Sequence, residues 1–190
     1  WKDLSLPLSI PIIRLVDPNM SRVLSQWVLA VLLDFLRDGP FYRSKREKRE
    51  FCKLSERDTF GMKVAVYGIG AIGSAVANNL EKLEFRVTGW AQTKKPKLLF
   101  RQETGTGAFQ RLIATNFVHI CLLPLTTSTK KLFTKEIFMK MPKGAYFINA
   151  GRGEQVDEAG LLEAVGTGHL SGAALDVFCE EPLPKTHPFW

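Results

Sequence analysis

The chain has 190 residues, 45% of them hydrophobic and 24% charged, which suits one ordinary globular domain, or one domain with part of a second. Its net charge of +7 does not indicate nucleic-acid binding, because neither zinc-finger spacing nor interleaved basic and aromatic residues accompany it; a basic chain suits anionic cofactors and substrates equally well. No apolar run is long enough to span a membrane, and three widely spaced cysteines fit neither a metal site nor a disulfide framework, so we expect a cytoplasmic protein that contacts no membrane.

The predicted elements begin with a buried strand over residues 10–16, which apart from Arg14 are apolar and mostly β-branched. Asp17 and Pro18 then predict the start of a helix, since aspartate caps helix N-termini and proline is tolerated in the first turn. Apolar residues recur from there at helical spacing, and Gly39-Pro40 predicts the end of the helix. Further apolar residues outside this face indicate that the helix is covered on two sides, by another domain or a second subunit. A deeply buried core helix is the alternative.

A polar segment over residues 43–50, rich in lysine and arginine, predicts a solvated helix. Strands and helices alternate after it, and repeated βαβ units imply an α/β fold with a doubly wound parallel sheet of the Rossmann type. In such a sheet ligands bind beyond the carboxyl ends of the strands, so the residues that follow each strand are the candidates for function. The predicted strands are 63–67, 85–90, 117–123, 145–149 and 171–177.

The first of these strands is followed by a glycine-rich loop that opens a helix. Its three glycines would allow a tight turn, close backbone approach to a pyrophosphate and close helix–strand packing, while the helix N-terminus faces the phosphates. The alternative is a purely structural turn, which requires the strand, the loop and the helix to coincide by chance. The glycines of this predicted dinucleotide site are Gly68, Gly70 and Gly73.

The second strand is not followed by the acidic residue that holds the ribose 2′-hydroxyl in NAD-binding domains. No Asp or Glu occurs between Phe85 and Gln102. Gln92, Thr93 and Lys94 could instead hydrogen-bond or pair with the additional phosphate of NADP. The pattern therefore favours NADP as the cofactor, with NAD possible; the alternative is that the lysines here are only solvated loop charges.

The fourth and fifth predicted strands are followed by charged residues that converge on the same edge of the sheet. Arg152 lies between two glycines, which leave room for a ligand, and an arginine there could bind a carboxylate bidentately and polarise an adjacent carbonyl. The alternative for Arg152 is a surface salt bridge. Asp176 lies at the end of the fifth strand, and Glu181 follows it.

From about residue 13 to residue 190 the chain resembles the D-isomer-specific 2-hydroxyacid dehydrogenases, in particular their glyoxylate/hydroxypyruvate reductase A branch. The most specific part of the resemblance is the separation between Arg152 and Glu181, which equals that of the family's catalytic Arg and Glu. The motifs that carry it are Arg14-Leu15-Val16-Asp17, the glycine-rich loop, Gly89-Trp90, Leu123-Pro124-Leu125-Thr126 with Thr129, Asn149-Ala150-Gly151-Arg152-Gly153, and residues 172–178 and 181–184.

The resemblance implies a reaction in which hydride passes from the nicotinamide to a 2-oxo carbon while a histidine supplies the proton. Arg152 would bind the substrate's carboxylate and keto oxygen, and Glu181 would hydrogen-bond the catalytic histidine and raise its pKa. Cofactor contacts are implied at Ala71 and Ile72 for the pyrophosphate, at Asp176, Ala150 and Gly151 for the nicotinamide carboxamide, and at Leu123, Pro124 and Thr129 for the wall of the groove.

The family's catalytic histidine has no match, because its Thr-Pro-His motif would follow residue 190. His119 lies within a predicted strand, where a core role is expected; His169 lies in a glycine-rich turn, and His187 matches an ordinary family position. The family's substrate-binding domain is matched only by its last strand. We therefore expect residues 1–17 to be a remnant of that domain and residues 18–190 to be an NAD(P)-binding domain without its final strand, inactive by itself.

Three functions are consistent with these patterns: a fragment of an active reductase, a dinucleotide-sensing module related to dehydrogenase-fold corepressors, and a non-functional remnant. Arg152 and Glu181 favour the reductase, because a pure nucleotide sensor needs neither. The expected partners are a small 2-oxo or 2-hydroxy acid and a second copy of the chain in a homodimer.

Overall fold

A computed structural model of the chain describes residues 17–96 and 98–190. The predicted strand over residues 10–16, which includes most of the first family motif, lies outside the described residues. In chain order the elements are α1 (Pro18–Leu36), α2 (Gly39–Glu47), β1 (Lys63–Tyr67), α3 (Ala71–Lys82), β2 (Arg86–Ala91), β3 (Arg101–Thr104), α4 (Thr106–Thr115), β4 (Val118–Cys121), α5 (Lys135–Lys140), β5 (Ala145–Asn149), α6 (Glu158–Gly166) and β6 (Leu170–Leu175).

The strands form one sheet in the order β3-β2-β1-β4-β5-β6, and every neighbouring pair is parallel. This order confirms the predicted doubly wound Rossmann-type fold. Successive strands are added on one side of β1 up to β3 and on its other side from β4 onward, so the strand order changes direction between β1 and β4. In this architecture ligands bind in the crevice at such a switch point. β1 and β5 have the predicted bounds, β2, β4 and β6 differ from the prediction at their ends, and β3 was not predicted.

Helices cover both faces of the sheet, which is why its central strands are almost continuously apolar. On one face α4, α5 and α6 enclose a core that includes Phe133, Phe138 and Phe147. On the other face α1 and α3 pack against the sheet around residues such as Leu32 and Leu80. The two cores fix the strand ends relative to one another, and the candidate site lies at those ends.

The start of α1 is as predicted, since the Asp17 carboxylate accepts a hydrogen bond of 2.8 Å from the backbone N–H of Asn19. Its end corrects the prediction made from Gly39-Pro40. α1 already stops at Leu36, and Asp38 adopts a left-handed conformation with φ of 57°. Gly39-Pro40 then opens α2, where the missing N–H of a proline in the first turn costs nothing. α2 has no buried residue, so the basic segment is a solvated helix as predicted as far as Glu47, whereas residues 48–50 follow the helix.

The structure divides α1 into a buried face and an exposed one. Leu32 is completely buried, whereas Met20, Val23 and Leu33 are 58%, 57% and 37% exposed. We call these three exposed residues the α1 stripe. Neither α1 nor any other helix within residues 17–96 and 98–190 is long and apolar enough to cross a membrane.

Candidate functional site

The glycine-rich loop connects β1 to α3, as predicted, and its glycines serve different purposes. Gly68 has φ of +95°, and a Cβ there would lie 2.6 Å from the carbonyl oxygen of Leu122. A Cβ on Gly73 would lie 1.8 Å from the carbonyl oxygen of Gly68. Nothing lies within 4 Å of the corresponding position on Gly70. Two glycines are therefore required by packing within the protein, and the third leaves open space beside the helix.

The first turn of α3 lies next to that open space. Gly70 is the N-cap residue and supplies no side-chain hydrogen bond to the helix, so backbone N–H groups of the first turn remain for a ligand. Ala71 is exposed and Ile72 is half-buried at this turn. A helix N-terminus of this kind suits a phosphate, because the N–H groups point at it and the helix dipole favours negative charge.

The loop after β2 reaches across the site. The Gln92 side-chain amide donates a hydrogen bond of 3.1 Å to the Ser128 hydroxyl, and since β2 and β4 flank β1, this contact passes over the end of β1. The Lys95 ammonium donates to the carbonyl oxygen of Ile69 in the glycine-rich loop, at 2.6 Å. Thr93 and Lys94 are exposed. The sequence pattern singled out Lys94, whereas the structure places Lys95 against the glycine-rich loop. Which of the two adjacent lysines faces the loop depends on the path of the backbone.

The segment after β4 forms the opposite wall. Leu123 is buried, and Pro124 is exposed. Thr129 is buried and fixes this segment, since its hydroxyl donates to the carbonyl of Pro124 at 2.7 Å and accepts from the N–H of Thr126 at 2.8 Å. The three residues predicted to line the groove therefore belong to one hydrogen-bonded segment beside the glycine-rich loop.

The segment after β5 carries Arg152 and is held by two side-chain amides. The Asn149 side chain accepts from the N–H of Gly151 at 3.0 Å and donates to the carbonyl of Arg152 at 3.1 Å. The Gln155 side chain accepts from the N–H of Arg152 at 2.9 Å. The Arg152 side chain is exposed, and its Nη1 donates to the carbonyl of Gly151 at 2.7 Å. The backbone is thus fixed while the guanidinium faces outward.

Gln155 was not predicted as a site residue. It ends a short 3-10 turn over Gly153–Gln155, which follows Arg152. A glutamine three residues after the start of a helical turn is the position from which a side chain reaches back to the first residue's N–H, and this spacing is the one signal that could have found it.

The end of β6 brings the acidic residues to the same edge. The N–H of Asp176 donates to the carbonyl of Asn149 at 2.9 Å. A Cβ on Gly153 would lie 1.9 Å from the carbonyl carbon of Phe178, so the two backbones touch there. The N–H of Phe178 in turn donates to the Glu181 carboxylate at 2.9 Å. The Arg152 segment and the Glu181 segment are therefore in direct contact.

Asp176 and Glu181 also interact electrostatically. Partial burial raises the pKa of the Asp176 carboxyl, and the nearby charge of Glu181 raises it further. Two carboxyl groups at one strand end favour a partner that is cationic or donates hydrogen bonds. An imidazolium and a carboxamide both have this property.

His119 lies inside β4 and is completely buried, which confirms the core role expected for it. Its Nε2 lies 3.0 Å from the carbonyl oxygen of Asn116 and its Nδ1 lies 3.0 Å from the Tyr67 hydroxyl. Burial lowers the pKa of His119 to about 3. A neutral imidazole enclosed in this way cannot exchange protons with a ligand in the groove.

The other two histidines lie away from Glu181. His169 contacts the carbonyl of Met141 at 3.1 Å, beyond the amino ends of β5 and β6. The Nε2 of His187 lies 3.7 Å from the Glu158 carboxylate. All three histidines belong to the described residues, and none is within hydrogen-bonding or ion-pairing distance of Glu181. In the same part of the chain no three His, Cys, Asp or Glu residues are placed to hold a metal ion.

The sequence also matches a known domain family. The NAD-binding domain of the D-isomer-specific 2-hydroxyacid dehydrogenases matches residues 29–190. A curated relative, glyoxylate/hydroxypyruvate reductase A of Serratia proteamaculans, is 32% identical over 188 residues, which are 98% of this chain and 59% of that protein. The chain thus spans less than two thirds of the length of this relative.

Solved structures of similar proteins share the fold. A D-isomer-specific 2-hydroxyacid dehydrogenase from Xanthobacter autotrophicus, in complex with NADPH and MES, is 36% identical with a TM-score of 0.91, over 98% of this chain and 76% of that one. An NADPH-dependent glyoxylate/hydroxypyruvate reductase from Sinorhizobium meliloti, in complex with NADP and sulfate, is 32% identical with a TM-score of 0.90, over 97% of this chain and 60% of that one.

Proposed function

The chain belongs to the family of D-isomer-specific 2-hydroxyacid dehydrogenases, and we propose that it is the NADP-binding part of a reductase that acts on a small 2-oxo acid, with glyoxylate and hydroxypyruvate as the first candidates. One observation carries the proposal: the Arg152 segment touches the Glu181 segment at the sheet edge that also bears the glycine-rich loop. A site that only binds a dinucleotide needs neither Arg152 nor Glu181, whereas reduction of an oxo acid uses both. The relatives named as reductases support the substrate class.

The residues at the glycine-rich loop fit a bound NADP. The open space at Gly70 and the N–H groups of α3 would hold the pyrophosphate, with Ala71 and Ile72 beside it. Gln92, Thr93 and Lys94 would face the 2′-phosphate, together with Lys95. The other contacts of the cofactor would come from Gly68, Gly73, Leu123, Pro124, Thr129, Ala150, Gly151 and Asp176. When bound, NADPH supplies the hydride.

Arg152 and Glu181 would act on the substrate and on its proton donor. The outward-facing guanidinium of Arg152 would bind the substrate carboxylate and polarise the adjacent keto group. Glu181, with Asp176 behind it, would hold a histidine in its protonated form. We propose further that residues 1–17 belong to the substrate domain and residues 18–190 to the nucleotide-binding domain. Since none of the three histidines contacts Glu181, the 190 residues alone would reduce 2-oxo acids poorly.

A second copy of the chain is the proposed protein partner. The α1 stripe places three exposed apolar side chains on the surface of one helix, and apolar surface is stabilised when a partner covers it. The three free cysteines suit a reducing compartment, for which we propose the cytoplasm.

The proposed function is tested by two titrations on the 190-residue chain. NADPH should bind, as measured by its fluorescence, and oxalate should then bind to the NADPH complex as an unreactive analogue of a 2-oxo acid. Arg152→Gln should weaken oxalate binding about tenfold or more, since it removes a charged, bidentate contact. Arg86→Gln, at the opposite edge of the sheet, is the matched control and should change nothing.

Other outcomes would identify a different function. Failure of the chain to bind NADPH would refute the proposal. If NADPH binds but oxalate does not bind to the NADPH complex, the dinucleotide-sensing alternative is favoured. Rapid oxidation of NADPH by the 190 residues in the presence of glyoxylate or hydroxypyruvate would mean that the chain does contain a proton donor. His187 would then be the first residue to replace.

A further inference from the structure

One buried amide lies between the two segments that the proposed function uses. Gln155 is completely buried, and its side-chain NH₂ donates to the carbonyl oxygens of Leu123 at 2.9 Å and of Pro124 at 3.1 Å. Its side-chain oxygen accepts from the N–H of Arg152 at 2.9 Å and from the Cys121 thiol at 3.3 Å. The amide therefore uses both donor hydrogens and both acceptor positions of its oxygen.

The backbone of Gln155 leaves this side chain little freedom. Its carbonyl accepts a hydrogen bond of 3.0 Å from Phe133, and the following residue, Val156, forms a β-bridge with Phe133. On the other side, a Cβ on Gly151 would lie 2.4 Å from the Gln155 side-chain oxygen and 2.9 Å from the carbonyl oxygen of Leu123. The segments after β4 and β5 thus close around the amide without spare room.

We infer that Gln155 is a positioning residue that sets the distance between the nicotinamide side of the cofactor groove and Arg152. The inference rests on the proposed function, in which Leu123 and Pro124 line the groove and Arg152 binds the substrate carboxylate. Each end of the amide holds one of these segments, so neither can move without breaking a buried hydrogen bond. A hydride donor and its acceptor must meet within a few tenths of an ångström, and coupling their two walls through one rigid group provides that accuracy.

Loss of an ordinary core residue would affect the binding of both halves of the cofactor. Loss of Gln155 should affect the binding of only one half. The adenosine half of NADP would lie at the glycine-rich loop and the loop after β2, which Gln155 does not contact. The nicotinamide half would lie between Leu123 and Ala150, on the segments that Gln155 joins. Loss of the amide should therefore weaken binding of the whole dinucleotide and spare binding of its adenosine half.

The experiment compares NADPH with 2′,5′-ADP, which has the adenosine half and no nicotinamide, on the 190-residue chain well below the Tm of every variant. Gln155→Leu has a similar volume but leaves the Leu123 carbonyl and the Arg152 N–H without this partner. We expect it to weaken NADPH binding about tenfold while 2′,5′-ADP binding stays within about twofold of the original. Equal losses for both ligands, or a lowered Tm with neither affinity changed, would mean that Gln155 is only structural.

Gln155→Glu provides a second test through its pH profile. Its ionised carboxylate still accepts from the Arg152 N–H but repels the carbonyl oxygens of Leu123 and Pro124, whereas the protonated acid donates to one of them. The NADPH affinity of this variant, divided by that of the original chain at each pH, should rise as the pH is lowered. A ratio that does not change with pH would contradict the positioning role.

The outcome also separates this inference from the proposed function. If the original chain binds neither NADPH nor 2′,5′-ADP, the proposed function itself is wrong. If it binds both and the two Gln155 variants keep the original ratio of the two affinities, only the positioning role is wrong.

Discussion

Ala91 ends β2 with a half-buried methyl group, at the strand end where NAD-binding domains use a carboxylate to hold the ribose hydroxyls. A carboxylate there would repel the 2′-phosphate of NADP and accept hydrogen bonds from the unmodified ribose of NAD. The side chain at this single position therefore bears on the choice between the two cofactors.

We predict that Ala91→Asp weakens NADPH binding at least about tenfold and improves NADH binding, which reverses the preference of the original chain. The two dissociation constants are measured by fluorescence titration at one ionic strength. Ala114→Asp, on the exposed surface of α4, adds the same charge away from the groove and should leave the preference unchanged. Equal affinities of the original chain for NADPH and NADH would contradict the proposed cofactor.

We expect the buried pair of His119 and Tyr67 to contribute to stability, since both side chains lie in the core. The carbonyl of Asn116 can only accept, so Nε2 of His119 carries the hydrogen and Nδ1 accepts from the Tyr67 hydroxyl. This neutral tautomer satisfies every polar group of the pair. Protonation would place a charge in the apolar core, which is why the pKa of His119 is lowered to about 3.

His119 should make the fold sensitive to acid. The folded-state pKa lies below the unfolded value of 6.5, so its contribution to stability is complete above pH 6.5 and is lost as the pH falls from 6.5 towards 3. We expect a loss on the order of 2 kcal/mol in the free energy of unfolding between pH 7 and pH 4.5.

Denaturant unfolding at both pH values checks this expectation. His119→Gln should be less stable at pH 7 and lose less stability on acidification. His169→Gln, beyond the opposite edge of the sheet, should lose as much as the original chain. An original chain that is equally stable at both pH values would rule out the effect.

Among the elements, the segment that carries Arg152 makes close backbone contact with the segment that follows β6, because a Cβ on Gly153 would meet backbone atoms of Phe178. Backbone atoms cannot rotate away as a side chain can, so the two segments must separate if this glycine is replaced. Gly166, near the end of α6, has nothing within 4 Å of its Cβ position.

We predict that Gly153→Ala lowers the free energy of unfolding by about 2 kcal/mol and weakens oxalate binding to the NADPH complex. Gly166→Ala should keep oxalate binding and should be as stable as the original chain or more stable by up to about 1 kcal/mol, since alanine favours a helix over glycine. Chemical denaturation and the oxalate titration measure the two effects. A Gly153→Ala chain with unchanged stability would mean that the two segments adjust without strain.

The strands whose bounds were predicted best from the sequence are those that consist of a continuous run of buried apolar residues. β1 and β5 have the bounds predicted from their apolar runs, in which the strongly polar residues, Lys63 and Asn149, lie at an end of the strand. β3 has the sequence Arg-Gln-Glu-Thr and is the outermost strand of the sheet. It has one neighbouring strand and is exposed to solvent, so its side chains need not be apolar. Propensity also failed at Gly39-Pro40, where two breaking residues begin a helix instead of ending one.

Within the candidate site, backbone motifs were easier to predict than side-chain partners. The glycine-rich loop and the segments of Arg152 and Glu181 could be assigned to one edge because the alternation of strands and helices implied a parallel sheet, whose carboxyl strand ends lie together. The inward position of Lys95 and the four hydrogen bonds of Gln155 depend on how loops from different strands pack, which no local pattern encodes. The roles proposed for all of these residues stay predictions until ligand binding is measured.

At the scale of the whole molecule, the α1 stripe leaves three apolar side chains of one helix exposed. Apolar surface of this kind is stabilised when a second copy covers it, and a helix pair related by a twofold axis would bury both stripes at once. We therefore predict that the protein is a homodimer at micromolar concentration.

Val23→Glu combined with Met20→Glu should convert the dimer to a monomer, because two charges would be buried without partners. Light scattering measures the change in mass, and the Tm of the isolated monomer should hardly change, since both residues are more than half exposed. Met139→Glu, an exposed apolar position on α5, is the control and should stay dimeric. An original chain that scatters only as a monomer would contradict the prediction.

Because α2 has no buried residue, we expect its order to depend on ionic strength. The helix is held to α1 by the Arg43 guanidinium, which binds both oxygens of Asp34 at 2.7 and 2.8 Å, and its end is held by Lys45 and Glu50 at 2.5 Å. Exposed ion pairs of this kind weaken as salt screens them. Trypsin cuts after lysine and arginine, so this basic helix should be the first segment cleaved at high salt, which would sever the chain between the helix of the proposed dimer contact and the nucleotide-binding sheet while α1 stays packed on α3.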